Sequence, residues 1–285
     1  MKNFKCRLGI LVAISVVLLT SCEKEQLDPV DDNNSQEISS KILDKLESIS
    51  LNPTSVERKT YEDIDGTEKT MLIVSDDIAI SEEQLWRMDV GDGVQSKQYH
   101  TTNLVSTPRT VRVVGYNGNN RFGLSTVAQR ALRYAVNNYN ALNTSIQFSI
   151  VFTTNFNSND IVAYTQTSGS VIAQDGVRGR AGFPSGGEPF KRIIINGGAN
   201  NFNNDQILEG LFTHEIGHCF GLRHTDWNTR NSCGQSGESQ FPEGAIRIPG
   251  TPGASQDPSS IMNACLSSSD GEFGQFDRVA LEYLY

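Results

Sequence analysis

The sequence predicts an α+β fold, and three observations carry that reading. Short β-prone runs recur at residues 110–116, 146–152, 161–164 and 192–196. Between and after them lie two helical patterns. One follows Ser125, with apolar Val127, Ala128, Ala131, Leu132, Ala135, Val136 and Tyr139. The other runs through Ile207, Leu208, Leu211 and Phe212. The 25 glycines, with many Asn and Ser, point to long loops around this framework.

Taken in order, residues 1–21 read as an export leader. Lys2, Lys5 and Arg7 form a positive start, and residues 8–19 form an apolar stretch too short to span a bilayer comfortably. Leu19-Thr20-Ser21-Cys22 resembles a bacterial lipobox, which implies lipid on Cys22 as the mature N-terminus. The expectation is an exported bacterial lipoprotein of the cell envelope, at the outer membrane or cell surface. It would be anchored by acyl chains without a transmembrane helix. An ordinary signal peptide with a chance cysteine is the alternative.

Residues 22–40 are polar and acidic, a disordered tether. Residues 41–106 read as an N-terminal pro-region or accessory segment. Ile42, Leu43, Leu46 and Ile49 have helical spacing, 71–74 reads as a strand and 82–88 as a helical turn. Apolar residues look too few there for an independent core. Asp63-Ile64-Asp65-Gly66 lacks the full ligand ladder of a calcium loop and reads as a turn.

Residues 107–285 form the principal domain. After the strand at 110–116, Asn117-Gly118-Asn119-Asn120 is a turn. The strand at 192–196 is the expected rim of a cleft, either an exposed edge or a paired interior strand. Asp205 can cap the helix that follows. Residues 233–260 read as loop, and 276–285 as a closing helix with Val279, Ala280 and Leu284 inward.

Charge and cysteines narrow the class. The formal net charge is −9, and losing the leader removes three of the 24 basic residues. No basic stripe remains, so nucleic acid is not an expected partner. Outside Cys6 and Cys22 three cysteines remain, so at least one is unpaired in a monomer. Cys233 and Cys265 lie in loop-like sequence and are the disulfide candidates. Cys219 lies within a helical pattern and is expected to pack as a small apolar residue.

The chemistry sits in His214-Glu215-Ile216-Gly217-His218-Cys219-Phe220-Gly221-Leu222-Arg223-His224. Residues four apart share a helix face, so His214 and His218 can grip one ion. Glu215 is placed to reach a water on it. Gly221 permits a left-handed turn out of the helix, and His224 then returns as a third ligand. Three imidazoles leave a fourth position open, as a single catalytic Zn2+ requires. Such a site fits hydrolysis by a zinc-activated water, with Glu215 as base; peptides as the substrate are implied only by the family resemblance given next. Asp226 is expected to orient a ligand or support the turn, ahead of binding the metal itself. His100 reads as a surface histidine.

This eleven-residue pattern is that of the metzincins, which carry a methionine turn downstream. Ser260-Ile261-Met262-Asn263-Ala264 resembles that turn, and the resemblance gives Met262 the role of an apolar floor beneath the metal. Within that group the chain is similar to the "dual-action HEIGH" metallopeptidases, on residues 214–218, His224-Thr225-Asp226, Ile248-Pro249-Gly250-Thr251-Pro252, 260–264 and Gly182-Phe183-Pro184. The resemblance covers residues 107–285. It implies a metzincin-like domain: a twisted, mostly parallel sheet with a backing helix, an active-site helix, the Met-turn and a small loop-rich C-terminal lobe. The loop cysteines also resemble those of pappalysins, which implies a Cys233–Cys265 bridge between the zinc-motif region and the Met-turn. One departure is Ala264, where astacins and serralysins carry a metal-side tyrosine.

These features predict a zinc-dependent endopeptidase acting on proteins or peptides, with a monomer expected. The rival is a zinc-binding surface lipoprotein, an adhesion or binding module with lost or minor catalysis. Latency through a pro-region cysteine is not expected, because none lies between Cys22 and Cys219 and lipid on Cys22 would keep that residue from serving. An aspartate device of the astacin kind resembles Val90-Gly91-Asp92 only faintly, and a plain turn is the better reading there.

Overall fold

The computed structural model describes residues 37–49, 51–88, 99–166, 172, 176–200, 203–234, 246–252, 257–265 and 271–285. The leader, Cys22, most of the tether and Asp92 fall outside them.

The main sheet has five strands: β5 (Arg109–Tyr116), β6 (Ile146–Thr153), β7 (Ile161–Gln166), β8 (Gly179–Arg180) and β9 (Arg192–Asn196). Their order is β6-β5-β7-β9-β8, with the first four parallel and β8 antiparallel to β9. The expected α+β class and mostly parallel sheet are observed. Of the two readings of the strand at 192–196, the paired interior one is observed: β9 is paired on both sides, and the two-residue β8 is the edge.

Alternation along the strands supplies both faces. Val111, Val113, Ile161, Ala163, Ile193 and Ile195 enter the larger core, against α3 (Thr126–Asn140) and the motif helix α5 (Asp205–Cys219). Val114, Val162, Tyr164 and Ile194 point the other way and meet Tyr61, Met71, Ile73 and Ala79. A parallel sheet needs cover on both faces, because its strands are apolar on both. The N-terminal residues provide the second cover.

They do so as a small antiparallel sheet of β1 (Glu57–Glu62), β2 (Glu68–Val74) and β3 (Ile78–Ile80). Asp63-Ile64-Asp65-Gly66 forms the β1–β2 turn, with Gly66 at φ +79°. Asp63 is engaged by the Tyr164 hydroxyl at 2.7 Å and by Arg192 at 3.2 Å. The apolar residues of this region do not form a core by themselves but share one with Phe183 of the main domain. Leu72, Val74, Ile78 and Ile80 bury with Ile42 and Leu46 of α1 (Ser40–Ser48) and Leu85 of α2 (Glu82–Arg87), around Phe183 of the main domain. Most of these residues sit in short elements, which weakens their periodic signal.

Ser125 caps α3 through the Ala128 N–H. At α5 the cap is Asn204, which accepts from Gln206 and Ile207, and Asp205 is the first helical residue, paired with Arg130 at 2.6 Å. Residues 208–219 of α5 are buried throughout, so this helix is a core element rather than a surface one. A four-residue turn of helix, α4 (Gly197–Asn200), and the closing helix α6 (Gln275–Leu284) complete the helices among the described residues. In α6, Ala280 and Leu281 are buried and Val279 is partly so.

Candidate metal centre

Helix α5 ends in a turn that its sequence dictates. The Leu222 N–H donates to Gly217 O at 3.0 Å and the Gly221 N–H to His218 O at 2.9 Å, with Gly221 at φ +96°. This is the double-bonded left-handed cap that a glycine makes accessible. A side chain at Gly221 would also meet the Asn103 carbonyl at 2.7 Å. Strand β4 (Tyr99–His100) and Thr101 clamp the turn, through Thr101 N to Gly221 O and Arg223 N to Tyr99 O, both 2.8 Å. His100 thereby turns out half-buried and structural, with burial lowering its pKa. Strand β10 (Ile246–Arg247) pairs on the far side of β4.

The turn brings the three histidines together. Their rings lie 4.5, 4.9 and 5.2 Å apart by centroid, and all three are buried. His214 Nδ1 bonds the Ile261 carbonyl and His218 Nδ1 the Leu222 carbonyl, each at 2.8 Å. A carbonyl only accepts, so each Nδ1 carries the proton and each Nε2 presents a lone pair. Those two Nε2 atoms face each other at 2.9 Å.

A fourth donor, one that the sequence analysis did not single out, completes the cluster. Asp77, between β2 and β3, places Oδ2 2.9 Å from His224 Nε2, 3.6 Å from His214 Nε2 and 3.9 Å from His218 Nε2. One donor atom from each of the four residues lies within 4.8 Å of the others. Tetrahedral zinc with ligands near 2.0–2.1 Å separates its donors by about 3.3 Å, so this donor set and spacing fit such an ion. Burial opposes the Asp77 charge, but His224 and His214 outweigh it and hold the carboxyl well below its ordinary range. Burial, with His214 and His224 beside it, drives His218 toward the neutral form that a metal ligand needs.

Glu215 is 1% exposed, and its Oε2 has no hydrogen-bond partner among the described residues. Burial raises its pKa to about 8, with Asp77 adding to the rise and His214 and Arg180 opposing it. A side chain at Gly179 would meet Glu215 Oε1 at 2.4 Å, so the bare edge strand makes room for this carboxylate. Beside it opens a cavity of about 490 Å3, lined by residues including Asp77, Val177, Gly179, His214, Glu215 and Arg230.

The family model of the dual-action HEIGH metallo-peptidases matches residues 72–285, three quarters of the chain. The chain belongs to this family. Two solved structures of myroilysin are also similar. One is 14% identical, with a TM-score of 0.38, over 65% of this chain and 97% of that one. The other is 15% identical, with a TM-score of 0.31, over 69% and 94%. No curated protein matches. This HEIGH metallopeptidase thus carries a buried His-His-His-Asp metal site, and the matched region includes Asp77.

The rest of the HEIGH site supports that centre. Met262 lies against α5, where a side chain at Gly217 would meet its sulfur at 2.6 Å. The Met262 carbonyl accepts from Thr225, next to His224, at 2.7 Å. Asp277 of α6 fixes the same turn, accepting from Ile261 N, Ser260 Oγ and Gly274 N at 2.7–2.9 Å. Sequence reasoning missed Asp277, since nothing local ties it to residues 260–261. Asp226 is not among the four clustered donors. Its carboxylate accepts from Ala264 N and Ser232 N, both 2.9 Å, tying the turn's exit to the loop after the motif. Burial opposes that charge, yet these bonds hold its pKa below the ordinary value. The same two strands of chain are joined by the Cys233–Cys265 disulfide. Cys219 is a free, buried thiol whose pKa burial pushes up. Gly182-Phe183-Pro184 packs against the N-terminal layer, with Phe183 edge-on to His218.

Proposed function

We propose that this metallopeptidase is a zinc-dependent endopeptidase in which Glu215 is the general base. The observation that supports it most is the pairing of three converging imidazoles with a buried carboxylate oxygen, Glu215 Oε2, that has no partner among the described residues. A purely structural zinc site has no need of such a carboxylate, and leaving one unsatisfied costs folding free energy. His214, His218 and His224 would hold the ion. When bound, zinc supplies Lewis acidity toward a carbonyl and toward water. Glu215 takes the proton of the attacking water and delivers it to the leaving amine. Its position against Gly179 sets it beside the edge strand, where an extended backbone can lie by strand addition. Substrates are therefore proteins or peptides bound through their main chain. We further propose that the chain is exported and lipid-anchored on Cys22, supported by the positive, apolar and lipobox order of residues 1–22.

A closed four-donor site is what a structural zinc would show, so a non-catalytic metal protein is the competing reading. One assay separates them. A dye-quenched unfolded protein is offered to the wild-type chain and to Asp77→Ala, each with zinc, with a chelator, and with zinc restored. Cleavage that the chelator abolishes and zinc restores is expected in at least one of the two. No cleavage in either, with zinc bound at one equivalent, would overturn the peptidase reading.

A further inference from the structure

We propose that residues 75–80 are a built-in latch, lying in the catalytic cleft in place of substrate, with Asp77 closing the metal's open position and Asp76 seated on Arg230. The proposal rests on the zinc-peptidase reading and adds that the chain is made latent.

Three sets of contacts converge on this short segment. The first is at the metal. A catalytic zinc keeps one position free, and here the fourth donor comes from a residue 147 positions before His224. The second is along the sheet edge. The Ala79 N–H donates to Ala181 O at 2.7 Å, and the Ala181 N–H donates to Asp77 O at 3.0 Å. Residue 78 thus pairs in parallel with Ala181, directly after β8. These are main-chain groups that an extended substrate would use, and the latch already fills them. The third is electrostatic. Arg230 reaches Asp76 Oδ2 at 2.7 Å, and Arg180 donates to Asp76 O at 2.7 Å.

The tip turns tightly between the paired strands β2 and β3. Ser75 and Asp76 both lie in the left-handed region, at φ +52° and +71°. Side chains adopt that region at a cost, which surrounding contacts must sustain. The cleft is shaped to match: a side chain at Gly182 would meet the Ala79 carbonyl at 2.3 Å. Behind the tip, Leu72, Val74, Ile78 and Ile80 are buried in their own cluster. Opening therefore calls for removal of the N-terminal layer rather than the swing of a free loop.

The test uses the full chain as wild type and as Asp76→Ala/Asp77→Ala, loaded with zinc or with cobalt(II). Three readouts are taken: hydrolysis of an unfolded protein, metal retention against a graded chelator, and acetohydroxamate affinity from the visible cobalt spectrum. The variant is expected to cleave at least tenfold faster, to bind acetohydroxamate at least tenfold more tightly, and to show an altered cobalt spectrum before any ligand is added. Limited proteolysis of the wild type should raise activity in step with loss of the fragment holding residues 75–80. If the variant loses its metal where the wild type keeps it and gains no activity, Asp77 is a permanent ligand and the latch falls. If it keeps its metal and matches the wild type in cleavage and in acetohydroxamate affinity, the latch also falls. Should the double variant fail to fold, Asp77→Asn, of the same shape, is judged by the same readouts. Tighter acetohydroxamate binding without cleavage in any form would sustain the latch and sink the peptidase reading. Equal, rapid cleavage by both chains would do the reverse.

Discussion

Two carboxylates meet at the metal centre and behave oppositely. Glu215 comes from the regular interior of a helix, has one oxygen, Oε2, without a partner among the described residues, and is raised toward neutrality by its burial. Asp77 comes from a strained turn between short strands, is surrounded by imidazoles and is held charged. The first is poised to exchange a proton, and the second is poised to bind a cation. The difference is one of neighbours rather than side-chain chemistry, because both are buried carboxylates. It teaches that a buried acid pushed toward neutrality marks the reacting position, whereas one held charged by imidazoles marks a position on the metal.

The largest expected effect breaks that comparison at Glu215. In the Asp77→Ala chain, Glu215→Gln should lower hydrolysis by about 100- to 10,000-fold, the usual worth of a positioned base. Zinc content should stay at one equivalent, because the glutamine leaves the three imidazoles in place. Parallel loss of zinc would reassign Glu215 to metal retention.

The two carboxylates also differed in how far the sequence revealed them. His214, Glu215 and His218 were legible because a helix turns spacing into geometry, and Gly221 was legible because a left-handed cap favours glycine. Asp77 was not, since its partners are 137–147 residues away and its aim depends on two positive φ angles. The one local hint was a Ser-Asp-Asp break between apolar runs, and that reads equally well as a plain hairpin. The same limit hid β8: two residues, Gly179 and Arg180, hold no periodic pattern, so the stronger run at Arg192–Asn196 drew the reading of a rim. It also made Asp205 look like the cap when Asn204 holds the free amides. Most main strands and α3 came through, because their alternation and 3.6-residue period are local properties.

The supports on the far side of the centre can be compared in the same way, since one is covalent and the other is a carboxylate. The Cys233–Cys265 bridge closes a loop with a sequence separation of 32 residues. Chain-entropy arguments assign such a closure about 3–4 kcal/mol. Replacing both cysteines by serine should lower stability by about that amount in denaturant titration. Unchanged stability would mean that Asp226, bridging the same segments, suffices alone.

Asp277 sharpens the contrast through pH. Burial raises its pKa to about 6 from 3.8, despite the hydrogen bonds from Ile261 and Ser260 that favour its charge. A folded-state pKa above the unfolded one means that the native chain binds the extra proton. Its stabilising contribution is therefore full below about pH 4 and is lost as pH rises through about 6, a swing of roughly 3 kcal/mol. Asp277→Asn resembles the protonated acid and cannot titrate. The gap in melting temperature between variant and wild type should shift in the variant's favour from pH 4 to 7. A constant gap would show that the carboxyl titrates alike in both states.

The smallest effect concerns the start of the motif helix, far from the chemistry at its other end. Asn204 satisfies two amides there, so Asn204→Ala should cost about 1 kcal/mol of stability. Asp205→Ala removes an exposed pair with Arg130 and should cost less, because solvent screens it. Neither change reaches the turn at Gly221 that delivers His224, so hydrolysis measured in the Asp77→Ala chain should be unaltered by both. If Asn204→Ala instead depressed hydrolysis while zinc stayed bound, the helix would be transmitting strain along its length, and the Gly221 cap would not be the element that sets the site's geometry.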